Sequence, residues 1–185
     1  MCGKRKLIVS VTGASGAIYA RILLERLQNM EEQISSLGVI FSSNARAVWN
    51  FEIGGVFQPE TPLVTQFAYD DLFAPVSSGS SDFDTMIICP CSMGTLGRIA
   101  AGVSDDLITR AADVMLKERR KLILVPRETP YNLLHLRNMT RLTEAGTIIC
   151  PATPSFYSKP DSIEMVALTV RSEERRVGKE CRSRW

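Results

Sequence analysis

The sequence predicts an α/β fold, a single-domain, doubly wound, Rossmann-like or flavodoxin-like parallel sheet with helices on both faces. Short apolar runs such as 7–11 and 85–89 lack polar alternation, which is typical of strands buried on both faces of a parallel sheet. Segments with helical spacing alternate with these runs along the chain. The first run ends in a glycine-rich turn, TGASG at 12–16, directly before a helical pattern.

The individual elements follow from this alternation. The first half of the chain predicts two strands, at 7–11 and 39–41, and two helices, at 17–30 and 45–53. A long connection at 54–81 is rich in Gly, Pro and Ser and is expected to contain at most short elements. The second half predicts strands at 85–89, 122–125 and 147–150, and helices up to 101, at 107–119 and at 133–145. A further helix is expected to begin at 162 and to continue to 170.

Charge is unevenly distributed along the chain. The whole chain has 22 Lys and Arg against 20 Asp and Glu, whereas the segment 171–185, RSEERRVGKECRSRW, holds six basic and three acidic residues. This segment resembles one translated reading frame of a sequencing-adapter oligonucleotide, and a solvated basic tail is the alternative. We therefore expect one domain at 1–170 with an incomplete last helix, followed by an artefactual tail that has replaced the true C-terminus.

Composition excludes several classes of function. A net charge of +2 predicts neither a nucleic-acid partner nor a membrane surface, and no apolar run approaches the ~20 residues of a membrane-spanning helix. Five cysteines at irregular spacing suit reduced thiols in a cytoplasmic enzyme better than a disulfide framework. Because His135 is the one histidine in the sequence, a metal site is not expected.

The residues after the predicted strands indicate a phosphate-bearing ligand. Ligands bind at the carboxyl ends of strands in such sheets, and these positions carry small hydroxyl residues, helix N-termini and Arg127. The first turn is G-x-x-G and not G-x-G-x-x-G, and Ser42 and Ser43 stand where a nicotinamide enzyme has an acid for the ribose. NAD is therefore disfavoured. No P-loop motif is present, so a mononucleotide such as FMN remains.

Five ordered blocks resemble the flavin prenyltransferase family of the UbiX type. The blocks are TGASGA at 12–17, SSGS at 77–80, CPCSMGTL at 89–96, RAADV through KERR at 110–120, and VPRETP at 125–130. The resemblance covers roughly 6–170. It implies that 1–170 is an FMN-binding flavoprotein domain.

The resemblance implies a reaction on the flavin itself. Members of the family join a dimethylallyl group from dimethylallyl phosphate to N5 and C6 of reduced FMN, which gives the prenylated-FMN cofactor of UbiD-type decarboxylases in routes such as ubiquinone biosynthesis. They need no metal, and they assemble into homo-oligomers, commonly dodecamers, with active sites at subunit contacts. The sequence does not separate a monophosphate from a diphosphate donor.

The resemblance also implies which residues form the site. The implied FMN contacts are Gly13, Ala14, Ser15, Ser42, Ser92, Met93, Gly94, Thr95 and Arg127. Ser15 is expected to relay a proton at flavin N5, and Glu52 and Glu128 to act as acid or base near the allyl phosphate if burial or a neighbouring charge raises their pKa. Fixed cations stabilise charge on a leaving phosphate. The implied phosphate ligands are Arg110, Lys117, Arg127 and Tyr157.

Several of these residues also have a purely structural interpretation. Ser15 is a possible N-cap of the helix that follows it. Arg127 is alternatively a surface ion-pair partner, and Lys117 part of a solvated helix face. The family has a phosphate-binding arginine on its final helix, where this sequence has Glu173.

Two other functions compete with the prenyltransferase. The first is a flavin-dependent cysteine decarboxylase, although the early-helix histidine of those enzymes is replaced here by the stretch Asn44-Ala45-Arg46. The second is an FMN-binding accessory subunit of an aromatic-acid decarboxylase, which would bind the flavin without modifying it.

Overall fold

Six parallel strands form the centre of the chain, of which a computed structural model describes residues 4–170. The strands are β1 (Arg5–Val11), β2 (Ile34–Phe41), β3 (Val64–Phe67), β4 (Thr85–Cys91), β5 (Lys121–Pro126) and β6 (Ile148–Ile149). Their order across the sheet is β3-β2-β1-β4-β5-β6, and every neighbouring pair is parallel. This is the strand order of Rossmann folds, so the predicted fold class is confirmed.

Helices cover both faces of the sheet. They are α1 (Ala17–Gln28), α2 (Ser43–Glu52), α3 (Met93–Ala100), α4 (Leu107–Lys117) and α5 (Leu133–Glu144), with a 3₁₀ turn at Pro75–Ser77 and a helical segment at 163–170. Alternate residues of β1 point to opposite faces, so Val9 packs with α1 and α2 while Ile8 packs with α3, α4 and α5. Burial on both faces explains the continuous apolar runs of the strands.

The predicted elements are present with shifted ends. The strand predicted at 39–41 begins at Ile34, because its pairing with β1 extends over the full length of β1. The strand predicted at 147–150 covers only two residues, although a bond from the Cys150 N–H to the Leu124 carbonyl continues its pairing with β5. Within the connection 54–81, β3 adds an edge strand beside β2. Its short, half-polar sequence VTQF carries no clear strand signal.

The chain changes direction across the sheet between β1 and β4. From β1 it moves outward through β2 to β3, and it then crosses back to β4 on the other side of β1. The segments that leave β1 and β4 therefore go to opposite faces of the sheet. Such a switch point opens a crevice at the carboxyl ends of the two strands, which is where ligands bind in open α/β sheets.

The last described residues pack against the core. Ala167 and Val170 in the segment 163–170 are buried. Within residues 4–170, no helix has the length and apolar character needed to cross a membrane. The tail at 171–185, with Glu173, lies outside the described residues, and the domain limits stay a prediction.

Candidate active site

The turn after β1 and the last residue of α2 form one hydrogen-bonded unit. Through Oε2, the Glu52 carboxylate accepts hydrogen bonds from the backbone N–H groups of Gly16 at 2.9 Å and Ala17 at 2.7 Å. The Ser15 hydroxyl also acts on this carboxylate and helps to lower its pKa. The N–H groups in the first turn of a helix have no partner inside the helix, so Glu52 serves as a cap for α1. Two of the three predicted catalytic residues, Ser15 and Glu52, are thus in contact.

Gly16, and not Ser15, is the N-cap residue of α1. The φ angle of Gly16 is 106°, in the left-handed region that favours glycine. A Cβ at this position would lie 2.8 Å from the Tyr19 ring. The N-cap interpretation of Ser15 is therefore wrong, and its side chain is exposed beside the Glu52 carboxylate. An exposed hydroxyl beside a carboxylate is well placed to contact a ligand.

The surroundings of Glu52 lower its pKa below the ordinary glutamate value. Partial burial acts to raise this pKa, but hydrogen bonds from Ser15, Ala17 and Gly16, with the positive charge of Arg127, outweigh the burial. An acid role at the allyl phosphate requires a raised pKa, and Glu52 does not meet this condition. The carboxylate is ionised at neutral pH and is available as an acceptor.

Arg127 follows β5 and reaches across to the turn after β1. Its Nε donates to the Ser15 carbonyl oxygen at 2.9 Å. Its charge also acts on Tyr19, whose pKa is raised by burial and by the nearby Cys89 thiol against the lowering effect of Arg127. None of the ion pairs formed within residues 4–170 involves Arg127, so the alternative of a surface ion pair has no support there.

A buried hydroxyl that the sequence analysis did not single out joins the ends of β1 and β4. The Thr12 hydroxyl donates to the Pro90 carbonyl at 2.7 Å and accepts from the Ser92 N–H at 2.7 Å. Ser92 is the N-cap of α3, and its Oγ accepts from the Thr95 N–H at 3.3 Å. The two turns that line the crevice are therefore fixed to each other. The available signal was a threonine directly after a buried strand.

Close approach of the backbone explains the glycine at position 13. A Cβ on Gly13 would lie 2.6 Å from the Cβ of Asn44 in the first turn of α2. Ser42 is the N-cap of that helix, and its Oγ accepts from the Ala45 N–H at 3.1 Å. The Ser42 N–H in turn donates to the Val11 carbonyl at 3.0 Å. The predicted FMN contacts after β1 and after β2 therefore lie side by side.

The N-terminus of α3 offers open space next to this cluster. Gly94 is exposed, and a Cβ there would meet nothing within 4 Å, whereas Met93 and Thr95 on either side are buried. The first N–H groups of a helix have no hydrogen-bond partner within the helix. In α3, the N–H group of Thr95 donates to the Ser92 hydroxyl oxygen. Backbone donors, hydroxyl groups and open space at the carboxyl edge of the sheet fit a flavin mononucleotide.

Two predicted phosphate ligands, Arg110 and Lys117, lie on α4. The Nε of Arg110 donates to the Ser77 carbonyl at 3.1 Å. The Lys117 ammonium is exposed and pairs with Glu118 at 3.3 Å. Both cations thus flank the SSGS segment at 77–80. No hydrogen bond or ion pair within residues 4–170 connects either of them to the turn after β1.

Glu128 and Tyr157 are exposed. The Glu128 carboxylate accepts from the Thr129 N–H at 2.9 Å. Burial, followed by the charge of Glu128, raises the pKa of Tyr131. Tyr157 is 100% exposed. The hydrogen bonds of the described chain connect neither Glu128 nor Tyr157 to Ser15, so their functional roles stay predictions.

The two cysteines of β4 belong to the core. Cys89 and Cys91 are buried and form no disulfide, and burial raises the pKa of the Cys91 thiol to about 12. A buried thiol with such a pKa is not a nucleophile at neutral pH. Among residues 4–170, no group of three or more His, Cys, Asp or Glu side chains is arranged to hold a metal ion.

Comparison with known proteins establishes the family. A family model described as Flavoprotein matches residues 1–171. The flavin prenyltransferase UbiX of Thermoplasma acidophilum is 46% identical over 167 residues, which cover 89% of this chain and 90% of that protein. This chain belongs to the UbiX-type flavin prenyltransferases.

Solved structures of UbiX-type proteins have the same fold. The structure of AnUbiX (PadA1) in complex with FMN and dimethylallyl pyrophosphate is 40% identical, with a TM-score of 0.85 over 93% of this chain and 90% of that chain. A dodecameric FMN-dependent UbiX-like decarboxylase from Escherichia coli O157:H7 is 38% identical, with a TM-score of 0.87 over 94% of both chains. These likenesses show the fold, and the crevice between β1 and β4 stays the predicted flavin site.

The cysteine decarboxylase alternative receives weaker support. The FMN-dependent cysteine decarboxylase TvaF is 17% identical, with a TM-score of 0.61 over 93% of this chain and 99% of that chain. Identity at this level shows a shared fold and carries no further information about the reaction.

Proposed function

We propose that this chain transfers a dimethylallyl group from dimethylallyl phosphate to N5 and C6 of reduced FMN, bound in the crevice between β1 and β4. The observation that carries the proposal is that Arg127 and the Glu52 carboxylate hold the turn after β1 from two sides, through bonds to the Ser15 carbonyl and to the Gly16 and Ala17 N–H groups. This pair holds an exposed hydroxyl at the flavin-binding turn. The solved complex of AnUbiX with FMN and dimethylallyl pyrophosphate supports the pair of ligands.

The chain's own groups bind and orient the flavin. Reduced FMN supplies two nucleophilic positions, N5 and C6. The proposed contacts are Gly13, Ala14, Ser42, Ser92, Met93, Gly94, Thr95 and Arg127. Ser15 accepts or passes a proton at its hydroxyl oxygen, and Glu52 acts as the acceptor behind it, because its lowered pKa keeps it ionised.

Positive side chains stabilise the phosphate as it leaves. Arg127 lies at the crevice, whereas Arg110 and Lys117 lie on α4, and within residues 4–170 neither has a hydrogen bond or ion pair to the turn after β1. We therefore propose that a second copy of the chain supplies the α4 cations in a homo-oligomer, a dodecamer like the Escherichia coli relative. The exposed Glu128 and Tyr157 are proposed to complete the donor site.

The product has a proposed destination. Prenylated FMN serves a UbiD-type decarboxylase as its cofactor, and we place the reaction in the cytoplasm. The proposed chemistry uses no metal ion, because cationic side chains stabilise the phosphate leaving group.

Reconstitution tests this function directly. The full chain is incubated without oxygen with reduced FMN and either dimethylallyl monophosphate or dimethylallyl diphosphate, and the released flavin is analysed by mass spectrometry. We expect a flavin heavier by one five-carbon unit with at least one donor, and none with the Ser15→Ala variant. Flavin that binds tightly but stays unmodified with both donors would contradict the proposal and favour the accessory subunit.

Subunit complementation tests the shared site. Ser15→Ala and Lys117→Met change residues that no contact joins within the described chain. Each variant alone is expected to be inactive. Co-expression should restore activity to about a quarter of the sites, because random mixing pairs an intact crevice with an intact α4 in that proportion. If the co-expressed variants stay inactive, both residues act within one chain.

A further inference from the structure

Arg98 on α3 connects the candidate flavin site to the start of α4. Its Nη1 donates to Asp105 Oδ1 and to Asp106 Oδ2, both at 2.7 Å. Its Nη2 donates to Thr95 Oγ1 at 3.4 Å. Burial acts to lower the pKa of Arg98, but the hydrogen bonds and charges of the two aspartates outweigh the burial and raise it. One guanidinium thus connects the turn that begins α3 with the N-cap of the next helix.

On the α4 side, Arg98 completes the contacts of Asp106. The Oδ1 of Asp106 accepts from the Thr109 N–H at 2.8 Å in a reciprocal capping box, while Oδ2 accepts from Arg98. The Asp106 side chain is 12% exposed, against 57% for Asp105. Loss of the guanidinium would therefore leave a largely buried carboxylate without its cation. The helix that Asp106 caps carries Arg110 one turn later.

On the α3 side, Arg98 determines how two hydroxyl groups are oriented. Thr95 Oγ1 accepts both from the Ser92 hydroxyl at 3.1 Å and from Arg98 at 3.4 Å. A hydroxyl oxygen has two lone pairs, so the Thr95 proton is directed away from both donors. Ser92 is the donor of this pair, and its oxygen accepts from the Thr95 N–H at 3.3 Å. Thr95 is only 4% exposed, so solvent competes little for these bonds.

We propose that Arg98 is a positioning residue of the flavin site. It sets the donor and acceptor directions of Ser92 and Thr95, and it ties their turn to the N-terminus of α4. Arg98 acts on the flavin through Thr95. This inference rests on the proposed function, because it takes the Ser92–Thr95 turn as part of the FMN site.

FMN titration of Arg98 variants tests the proposal. Arg98→Met is expected to raise the Kd for FMN, measured by quenching of flavin fluorescence, by about three- to tenfold, the range for losing a partly solvated charge-assisted hydrogen bond. Arg98→Lys keeps the charge but lacks the forked geometry, so its Kd should lie between those of Arg98→Met and the unchanged protein. A Kd unchanged in both variants would overturn the proposal.

Two control variants separate this effect from general loss of charge or stability. Arg5→Met removes an exposed arginine that pairs with Asp84 at 3.3 Å at the start of β1, the end of the strand opposite the crevice, and it should leave the Kd unchanged. Asp105→Asn weakens the exposed ion pair but leaves the Thr95 and Asp106 contacts of Arg98 in place. It should bind FMN as the unchanged protein does. A Kd for Asp105→Asn equal to that of Arg98→Met would contradict a role through Thr95.

A double-mutant cycle shows whether Arg98 acts through Thr95. In a Thr95→Val background, Arg98→Met is expected to have no further effect on the Kd, because the hydroxyl that it orients is already gone. If the effects of Arg98→Met and Thr95→Val on the Kd for FMN multiply in the double variant, the two residues act independently and the proposal is overturned. If Arg98→Met fails to fold, Arg98→Lys enters the same cycle. Failure of the unchanged protein to bind FMN would instead contradict the proposed function itself.

Discussion

The Nε atom of Arg127 donates a hydrogen bond to the carbonyl oxygen of Ser15 at 2.9 Å, across 112 positions of sequence. This bond joins the end of β5 to the turn after β1, although β4 lies between the two strands. The bond uses Nε, so the two terminal nitrogens of the guanidinium can meet an anionic ligand. Arg127 therefore has two separable properties, its bond to the turn and its charge.

Replacement of Arg127 should separate these two properties. Arg127→Met removes both, and we expect the Kd for FMN to rise about tenfold, as for the loss of one charge-assisted hydrogen bond. Arg127→Lys keeps the charge but loses the Nε donor, so a smaller rise is expected. Titration followed by flavin fluorescence measures both values. Equal affinities of Arg127→Met and the unchanged protein would show that Arg127 does not contact the flavin site.

Glu52→Gln should make the stability of the protein less dependent on pH. The pKa of Glu52 is lower in the folded chain than in the unfolded chain. Its contribution is therefore present at neutral pH and is lost as the pH falls through the folded-state value. At pH 7 we expect Glu52→Gln to be less stable by about 0.5 kcal/mol, the usual worth of an exposed carboxylate at a helix N-terminus. Urea unfolding between pH 7 and pH 3 measures this difference, which should vanish at the acid end.

Glu25→Gln is the matched control for this measurement. Glu25 is an exposed glutamate of α1 whose carboxylate lies 4.0 Å from Arg21, and it caps no helix. Its replacement should change stability little at any pH in the series. A pH-independent loss in Glu52→Gln, or an equal loss in both variants, would contradict the capping role of Glu52.

Gly16→Ala should destabilise the protein more than the same change at another left-handed glycine. At position 16 the φ angle of 106° is unfavourable for alanine, and the new Cβ would in addition lie 2.8 Å from the Tyr19 ring. Gly54 has a φ of 86° with nothing within 4 Å, so Gly54→Ala carries the backbone cost alone, about 1–2 kcal/mol. We expect Gly16→Ala alone to weaken FMN binding as well. Equal unfolding free energies for the two variants would show that the Tyr19 ring adjusts without cost.

The order of strands and helices could be predicted because it depends on local periodicity. Continuous apolar runs and helical spacing can each be recognised within a short stretch of sequence. The parallel sheet is predicted because strands and helices alternate along the chain. The edge strand β3 has no such run, since two of its four residues, Thr65 and Gln66, are polar. It could be assigned only once β2 was in place to pair with it.

The contacts of the site depend on geometry between distant segments. Ser15, Glu52 and Arg127 were all expected near the flavin, but that Glu52 caps α1 depends on where the end of α2 lies relative to that helix. The lowered pKa of Glu52 follows from that contact and not from its place in the sequence. The contacts of Arg110 and Lys117 could not be predicted either, because the crevice that they are proposed to complete belongs to a second copy of the chain.

Thr12→Val should loosen the connection between the ends of β1 and β4. The change replaces a hydroxyl by a methyl group of similar size at a buried position, and it leaves the half-buried Ser92 N–H without its 2.7 Å acceptor. An unsatisfied buried group costs about 1–3 kcal/mol, so the midpoint of urea unfolding should fall accordingly. Thr12→Ser keeps the hydroxyl and is expected to retain most of the stability. Because Ser92 begins a turn that is proposed to bind FMN, Thr12→Val should also weaken FMN binding, whereas Thr12→Ser should not. If Thr12→Val unfolds at no lower urea concentration than Thr12→Ser, the Thr12 hydroxyl does not connect the two turns.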